Sequence, residues 1–535
     1  MRESIVFNTS WIPRSRGCVA IIEERLIKAA CLYDRILHDK KGEEIMAYKF
    51  GNREQITLFP QSIDEYVSEA HPVRAYDAFI EALNHQEIEL EVDPHKVGNS
   101  AYDPKTMLKL VVYGYSYGIK GSRKLERAAH ENLGFIWLMG GLKPDHKTIA
   151  EFRRNNKETL KLVLRQCARM CIKLGLIEGN ILFVDGTKIR ANASRGKNHS
   201  KVYYQSKAED IDRRIEALLE ECERIDEEEK EDGSLVKMKK ELTDQRKLRE
   251  RIKGIIEEFE KRGELNKDGI ARTVNQTDPD SALMRSIHGS HASYNVQSVV
   301  DDKNGLIVHA DAVNETKDID QLSGQVQQAE EVIQRDCTVI CGDAGYSNTK
   351  QLKKLDGKEM KIVVPSQRQA LHNTEKPFSK KEFVYNAEED CYYCPEGHSL
   401  IFSTNKIKED QLVYRIKDAN LCRQCNNFGI CTDARQGRKI CRLSGEELKE
   451  KIERQFNEPE SQEIYSRRKT KVEHPFGHIK HNLGIRNFLL RGREGAKAEI
   501  SIGATCFNIA RMITLLGGVL GFCSTVQKYA GLTAI

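Results

Sequence analysis

The chain has 535 residues, of which 39% are apolar and 31% charged, the proportions of a folded globular protein and not of a disordered or fibrous one. At roughly 150 residues per domain, that length implies about three or four structural units. Lys and Arg total 85 against 80 Asp and Glu, a net charge of +5, too balanced to establish a nucleic-acid partner. The surplus is unevenly placed. From Ser461 to Ile535 there are 11 Lys and Arg against 4 Asp and Glu, so this stretch carries +7 and the other 460 residues sum to −2.

Residues 1–45 differ in character from the rest of the chain, and Met46 opens a segment that reads as a natural start, so residues 1–58 are expected to be an N-terminal extension. No apolar run with a small-residue cleavage site stands at the N-terminus. The longest uncharged stretch near an end, Met512 to Gln527, has 16 residues, short of the roughly 20 that a membrane span needs. The expectation is a cytoplasmic, nucleoid-associated protein without a membrane partner. Its 15 cysteines should then be reduced, and clusters of them point to metal before disulfides.

Residues 59–175 read as a helical domain. Asp103-Pro104 supplies an N-cap followed by proline in the first turn, ahead of the apolar run Met107 to Tyr113. Further helices are expected over Ser122 to Glu131 and Lys147 to Asn156. Short helices separated by Gly-rich turns suit a helix-turn-helix-like DNA module, or a helical packing domain without DNA contact. Next, Asn180-Ile-Leu-Phe-Val-Asp185-Gly186 reads as a buried strand ending in a carboxylate. Residues 203–263 alternate charge around spaced Ile and Leu, broken at Asp232-Gly-Ser, and are expected to form an inserted helical hairpin whose charges are mostly solvated. Strands are expected at His291 to Asp301 and Leu306 to Val313, joined by a turn containing Asn304-Gly305. After a helix over Lys317 to Gln334, Cys337 to Asp343 repeats the acid-tipped strand. A helix at Asn348 to Leu355 and a strand at Met360 to Pro365 complete an α/β core with a mixed sheet, residues 176–366 and 455–516.

Two aspartates, Asp185 and Asp343, at the ends of separate buried strands form an unusual pair. Ionised carboxylates avoid burial unless paired or bound to a cation, and such a hard oxygen site suits Mg²⁺ or Mn²⁺. Either one alone reads better as a turn or helix cap; the two in this order weaken that reading, and a third acid decides. A third acid, Glu473, lies among Arg467, Arg468, Lys469, Lys471 and Lys480, seven residues before Lys480 and so on the same face of a helix. Pro475 should kink that helix or set Glu473 near its start.

The cysteine cluster lies between the second aspartate and the glutamate, in residues 367–454. Cys391-x2-Cys394 and Cys422-x2-Cys425 are separated by 27 residues, with Cys431 and Cys441 beyond. Two such pairs suit a structural zinc site of the ribbon type, in which Cys431 could replace one of the four. His474 and His478 flank Glu473 in the wrong order for a zinc peptidase.

These motifs, in this order, resemble the DDE transposases of bacterial insertion sequences. The matching residues are Asp185-Gly-Thr187, Asp278-Pro-Asp280, Arg285, Tyr294-Asn-Val-Gln297, Gly342-Asp343-Ala-Gly-Tyr346, the Tyr465/Arg468/Glu473/Lys480 run, Phe488 to Gly492 and Phe507 to Met512. The likeness covers roughly residues 59–516. One departure is four residues, in place of three, between Arg468 and Glu473. The resemblance implies an α/β fold with a ribonuclease-H-like mixed-sheet core, to which the helical N-terminal domain, the hairpin and a zinc-ribbon-like subdomain are added, with residues 517–535 as a tail. It implies cutting and joining of DNA at the element's terminal inverted repeats and at target DNA, by a homodimer on DNA. Asp185, Asp343 and Glu473 would be the catalytic acids holding two Mg²⁺ or Mn²⁺ ions. Tyr465, Arg468, Lys480 and Arg491 would meet DNA, and Tyr465 reads equally as a core residue. A metal-dependent nuclease and a non-catalytic DNA-binding descendant are the competing readings.

Overall fold

The computed structural model describes residues 62–90, 101–227, 233–265, 269, 271–286, 289–370, 377–406, 411–443 and 445–533. The expected N-terminal extension and Met46 lie outside the described residues. The chain divides into two compact units, Met1–Ser68 and Glu69–Ile535. The described part of the first is a 3₁₀ turn, Ile63–Tyr66.

The second unit begins with six helices: α1 Pro72–Glu81, α2 Pro104–Ser116, α3 Ser122–Glu131, α4 Leu133–Leu138, α5 His146–Asn155 and α6 Lys157–Lys173. Asp103 caps α2 by accepting from the Lys105 and Thr106 amides, and Asp145 caps α5 through Thr148 N at 2.7 Å. Both caps satisfy amides that a helix start leaves unpaired. Leu108, Val111 and Tyr113 of α2 and Leu125 of α3 are buried. The rings of Tyr76, Tyr113 and Phe135 meet edge to face or tilted, tying α1, α2 and α4 together.

Strand β1, Ile181–Arg190, opens the sheet. A short pair, β2 Asn198–His199 and β3 Val274–Asn275, closes the base of two long helices, α7 Lys201–Glu227 and α8 Gly233–Arg262. Tyr204, Ile211, Ile252, Ile255 and Phe259 form the apolar seam between these helices. The remaining strands are β4 Ala282–Ser286, β5 Gly289–Asp301, β6 Ile307–Val313, β7 Val339–Cys341 and β8 Lys361–Val363. Helix α9, Leu322–Ile333, lies between β6 and β7, and α10, Thr349–Asp356, between β7 and β8. The strand order is β4-β5-β1-β7-β8, with β6 also on β5. β5 runs antiparallel to β4, β6 and β1, whereas β1, β7 and β8 are parallel to one another. The sheet is mixed, as expected.

One expectation about β1 needs revising. The strand does not end at Asp185 but continues to Arg190, because β5 keeps pairing with it as far as Arg190↔Ser293. Its parallel pairing with β7 stops at Phe183↔Cys341. Asp185 therefore sits mid-strand, at the point where one neighbour has ended.

A second sheet has five strands: β9 Val384–Asn386, β10 Cys391–Tyr393, β11 Ser399–Lys406, β12 Gln411–Ile416 and β13 Lys439–Leu443, all antiparallel. Four helices complete the chain: α11 Glu446–Phe456, α12 Pro459–Gly477, α13 Arg493–Leu515 and α14 Val519–Thr533. α13 is buried along most of its length and packs on α6, β6 and α2. Its Asn508 side chain accepts from Ile307 N and donates to Ile307 O, at 2.9 and 2.8 Å, fastening it to β6. No single described helix is long and apolar enough to cross a membrane. α13 and α14 pass that test only as a pair, bent by 107°.

Candidate active site

Parallel strands bring residues of equal level side by side, about 4.8 Å apart. The register Ile181↔Val339, Leu182↔Ile340, Phe183↔Cys341, continued two residues, sets Asp185 level with Asp343. Gly342 N still bonds Val363 O at 3.2 Å, holding the end of β7 in the sheet. Asp343 accepts from Gly345 N at 2.8 Å and so caps the turn Ala344–Tyr346. The capping role and the facing role coexist in one side chain.

Asp343 lies near enough for its charge to act on Asp185. Burial pushes the Asp185 carboxyl up to about 6; Arg468 opposes this, and the charges of Asp343 and Asp318 add to it. Arg468 Nη1 stands 3.5 Å from Asp185 Oδ1. Burial works against its charge, but Asp185 and Asp343 outweigh that and raise its pKa.

Arg468 comes from α12, which lies across the face of β1 that carries Phe183 and Asp185. Ile464 and Val472 of α12 join Phe183, Val339, Cys341 and Val363 in one apolar cluster. Tyr465 packs against that cluster, its ring 5.0 Å from Phe456 and beneath the Arg468 guanidinium at 5.7 Å. The core reading of Tyr465 is the one its contacts express.

Pro475 does not end α12, which runs on to Gly477 and passes into a π-helical turn, His478–Asn482. A π turn frequently marks a functional position. Lys480 in this turn donates to Thr187 Oγ1, two residues beyond Asp185. Burial lowers the Lys480 pKa, and Asp185 partly offsets that. Glu473 is exposed on α12, without a hydrogen bond or ion pair among the described residues. The structure thus brings Asp185, Asp343, Arg468 and Lys480 together and does not bring Glu473 into contact with them. Among the described residues, no three His, Cys, Asp or Glu side chains are gathered closely enough to hold a metal ion.

Sequence reasoning missed Asp318. Its Oδ1 accepts from Asn295 Nδ2 at 2.7 Å and Gln297 Nε2 at 2.6 Å, and Tyr346 donates to Gln297 Oε1 at 2.6 Å. Gly186 is required beneath it, since a Cβ there would overlap the Asp318 carboxylate and the Gln297 amide. The signal was in the chain: two amide side chains, Asn295 and Gln297, on one face of a strand predicted to be buried call for a polar partner.

Several basic residues near Glu473 have structural duties. Arg467 and Lys471 both pair with Asp302, at 2.6 and 3.5 Å. Arg491 is exposed and donates to Asn192 O at 3.3 Å. The Asp278 and Asp280 motif is structural as well. Asp278 accepts from Tyr294 OH at 2.8 Å and Gly492 N at 3.2 Å, and Asp280 from Arg493 N at 2.9 Å.

Two family models match the chain: the transposase DDE domain over residues 393–513, and a transposase domain (DUF772) over residues 61–155. Both matches support an insertion-sequence DDE transposase. The first match spans Tyr465 through Lys480 and leaves Asp185 and Asp343 outside it. The transposase is similar to a solved piggyBac transposase synaptic complex with hairpin DNA. The two share 9% identity over 86% of this chain and 79% of that one, with a TM-score of 0.31. No curated protein sequence matches it.

In the Cys-rich sheet, Cys394, Cys422, Cys425 and Cys431 line one small cavity, and Cys391 does not. Cys391 opens β10 and Cys394 follows its last residue, Tyr393, so the two thiols are presented differently. Tyr392 points into the apolar cluster that Cys394 joins, whereas the Cys391 thiol lies 3.5 Å from Glu389 Oε2.

Proposed function

We propose that this transposase cleaves and joins DNA at the ends of its element with Asp185, Asp343 and Glu473 as the catalytic acids, on a ribonuclease-H-like core. The observation that carries the reading is the parallel register that sets Asp185 level with Asp343, with Arg468 against them. The antiparallel strands β1, β4, β5 and β6, followed by β7 and β8 parallel to β1, support the core assignment. Glu473 enters through the resemblance and its position: Arg468 before it and Lys480 after it both reach β1.

Asp185 and Asp343 supply the hard oxygen donors that a divalent cation takes. Burial, with a smaller contribution from the charge of Asp343, raises the Asp185 carboxyl to about 6, and a bound cation would favour its ionised form. Asp185, Asp343 and Glu473 would hold Mg²⁺ or Mn²⁺, a pair of ions that activates the attacking oxygen and stabilises the leaving one. Lys480 and Arg468 present donors on the same side as the acids and position a backbone phosphate. Gly186 and Gln297 fix Asp318, which holds the floor of the site.

The helical region offers a second contact with DNA. Arg123, Lys124 and Arg127 of α3 and Lys147 and Arg154 of α5 are exposed, and α3 and α5 are joined by the pair Glu126–His146 at 3.0 Å. This basic face binds the element's terminal repeats, with an affinity that falls steeply with salt. Two ends must be held together, so a homodimer on DNA is the working assembly, by analogy with the family.

The test is a cleavage assay on DNA carrying the element's own ends, with Mg²⁺ or Mn²⁺. Asp185→Asn, Asp343→Asn and Glu473→Gln should each lower cleavage by about a thousandfold or more while leaving end-binding intact. Normal cleavage by Glu473→Gln alongside loss in Asp318→Asn would move the third-acid role to Asp318.

A further inference from the structure

The Cys-rich sheet carries a site independent of the catalytic reading. The apolar core on which its strands pack is small: Phe383, Tyr392, Leu400, Tyr414, Ile416 and Ile440. Between β12 and β13, residues 417–438 contain a single short helix, Ala419–Arg423, and expose Leu421, Phe428 and Ile430. A long connection on so small a core needs a staple.

Four thiols converge there. Cys394, Cys422, Cys425 and Cys431 line a cavity of about 30 Å³, room for one water-sized occupant. Burial raises the Cys431 thiol, Arg438 opposes this, and Cys422, Cys394 and Cys425 add to it as near neighbours. Three of the sulfurs already accept backbone amides: Cys394 from His398 N at 3.3 Å, Cys425 from Asn427 N at 3.4 Å, and Cys422 from Arg438 N at 3.4 Å. Amide donors aimed at sulfur favour the thiolate and orient metal ligands. The two lobes are tied across the cavity by Asn427 Nδ2 to Glu396 Oε1 at 2.8 Å. The other two cysteines are excluded by strand alternation: Cys391 neighbours the inward Tyr392, and Cys441 neighbours the inward Ile440, so both point away from the core.

We propose that Cys394, Cys422, Cys425 and Cys431 form a tetrathiolate zinc site that staples the β12–β13 connection to the β10–β11 turn, with Cys391 and Cys441 outside it. As the thiols stand they are too spread to ligate. Each sulfur turns about χ1, and zinc binding would draw the four from the lining of one cavity into a shell. Four S–H bonds give way to four Zn–S bonds, and the protons pass to solvent; nothing is oxidised or reduced.

The experiment is zinc content per chain by elemental analysis of the full-length protein, with the absorption spectrum after Co²⁺ exchange. Wild type, Cys391→Ser and Cys441→Ser should each hold one zinc and give the intense sulfur-to-metal bands of a four-thiolate Co²⁺ site. Cys431→Ser should bind zinc roughly tenfold or more weakly. If it fails to fold, Cys431→His decides: retained zinc with a three-sulfur Co²⁺ spectrum supports the site. No zinc in the wild type, iron in its place, an unchanged Co²⁺ spectrum in Cys431→His, or loss of zinc in Cys391→Ser would overturn it. None of these readouts depends on cleavage, so they stand or fall apart from the catalytic acids.

Discussion

The carboxylate cluster and the cysteine cluster both border β-sheets, yet they are supported by opposite means. Asp185 and Asp343 are held by a six-stranded sheet whose pairing alone fixes their level. That scaffold holds a carboxyl where burial, and to a lesser extent the charges of Asp343 and Asp318, disfavours its ionised form, which shows in the raised Asp185 pKa. The cysteines hang on a three-residue strand and an irregular connection over a small apolar core. There the scaffold is too slight to impose an unfavourable arrangement, and a bound ion would stabilise the fold instead of being positioned by it. A strained polar group on a strong scaffold points to chemistry, and relaxed ligands on a weak one point to architecture.

The largest expected effect tests the strained half. Asp185→Asn should abolish cleavage and yet stabilise the metal-free protein at neutral pH. The folded carboxyl titrates near 6, above its ordinary 3.8, so its charged form is disfavoured in the fold. That penalty is absent below about pH 4, grows between 4 and 6, and is fully present above 6. Removing it should add on the order of 1–3 kcal/mol at pH 7 and little at pH 4, as read by thermal melts at both values. A variant that is both inactive and less stable at pH 7 would remove the strain argument. For the relaxed half the sign reverses. Stripping zinc with a chelator should lower the melting temperature and expose residues 417–438 to protease, while end-binding through the helical region persists.

Much of this was legible because periodicity and punctuation are local. Asp103-Pro104 and Asn304-Gly305 announced a helix start and a turn where the structure has them. The acid-tipped strands stood out because a run of four apolar residues into an aspartate is conspicuous. What stayed hidden depended on partners. The length of β1 beyond Asp185 is set by β5, a hundred residues later. Asp318 had no apolar run to mark it, since its role is defined by Asn295 and Gln297 across the sheet. The Cys-x2-Cys spacing does not by itself say which thiols converge, since Cys391 is on β10 whereas Cys394 lies in the turn that follows.

A smaller effect probes the floor of the carboxylate site. Gly186→Ala places a methyl against Asp318 and Gln297, so one of them must shift. Overpacking of this kind costs about 1–3 kcal/mol, and the displaced Gln297 would release Tyr346 as well. Cleavage should fall more than stability does, because the shift passes to Asp185 through the strand. Equal melting temperature and full activity would show that the network is slack.

The smallest effect asks whether the same sheet tolerates charge where nothing balances it. His309 on β6 is held neutral: burial drives its pKa down to about 4, Asp311 and Glu331 work against that, and Lys497 and Arg165 reinforce it. Its Nε2 is buried without a hydrogen-bond partner, so a proton there has nowhere to be shared. Because the folded value lies below the ordinary 6.5, the unfolded chain takes up a proton first as pH falls. Stability should be intact above about 6.5 and decline toward 4, with a slope from this residue of at most about 1.4 kcal/mol per pH unit. His309→Gln removes that slope and leaves the carboxylate contributions in place, so the difference between the two melting curves isolates it. If the curves run parallel from pH 7 to 4, His309 is charged in the fold. The sheet would then hold an uncompensated cation as readily as it holds the Asp185–Asp343 pair, and strain at that pair would no longer mark it as special.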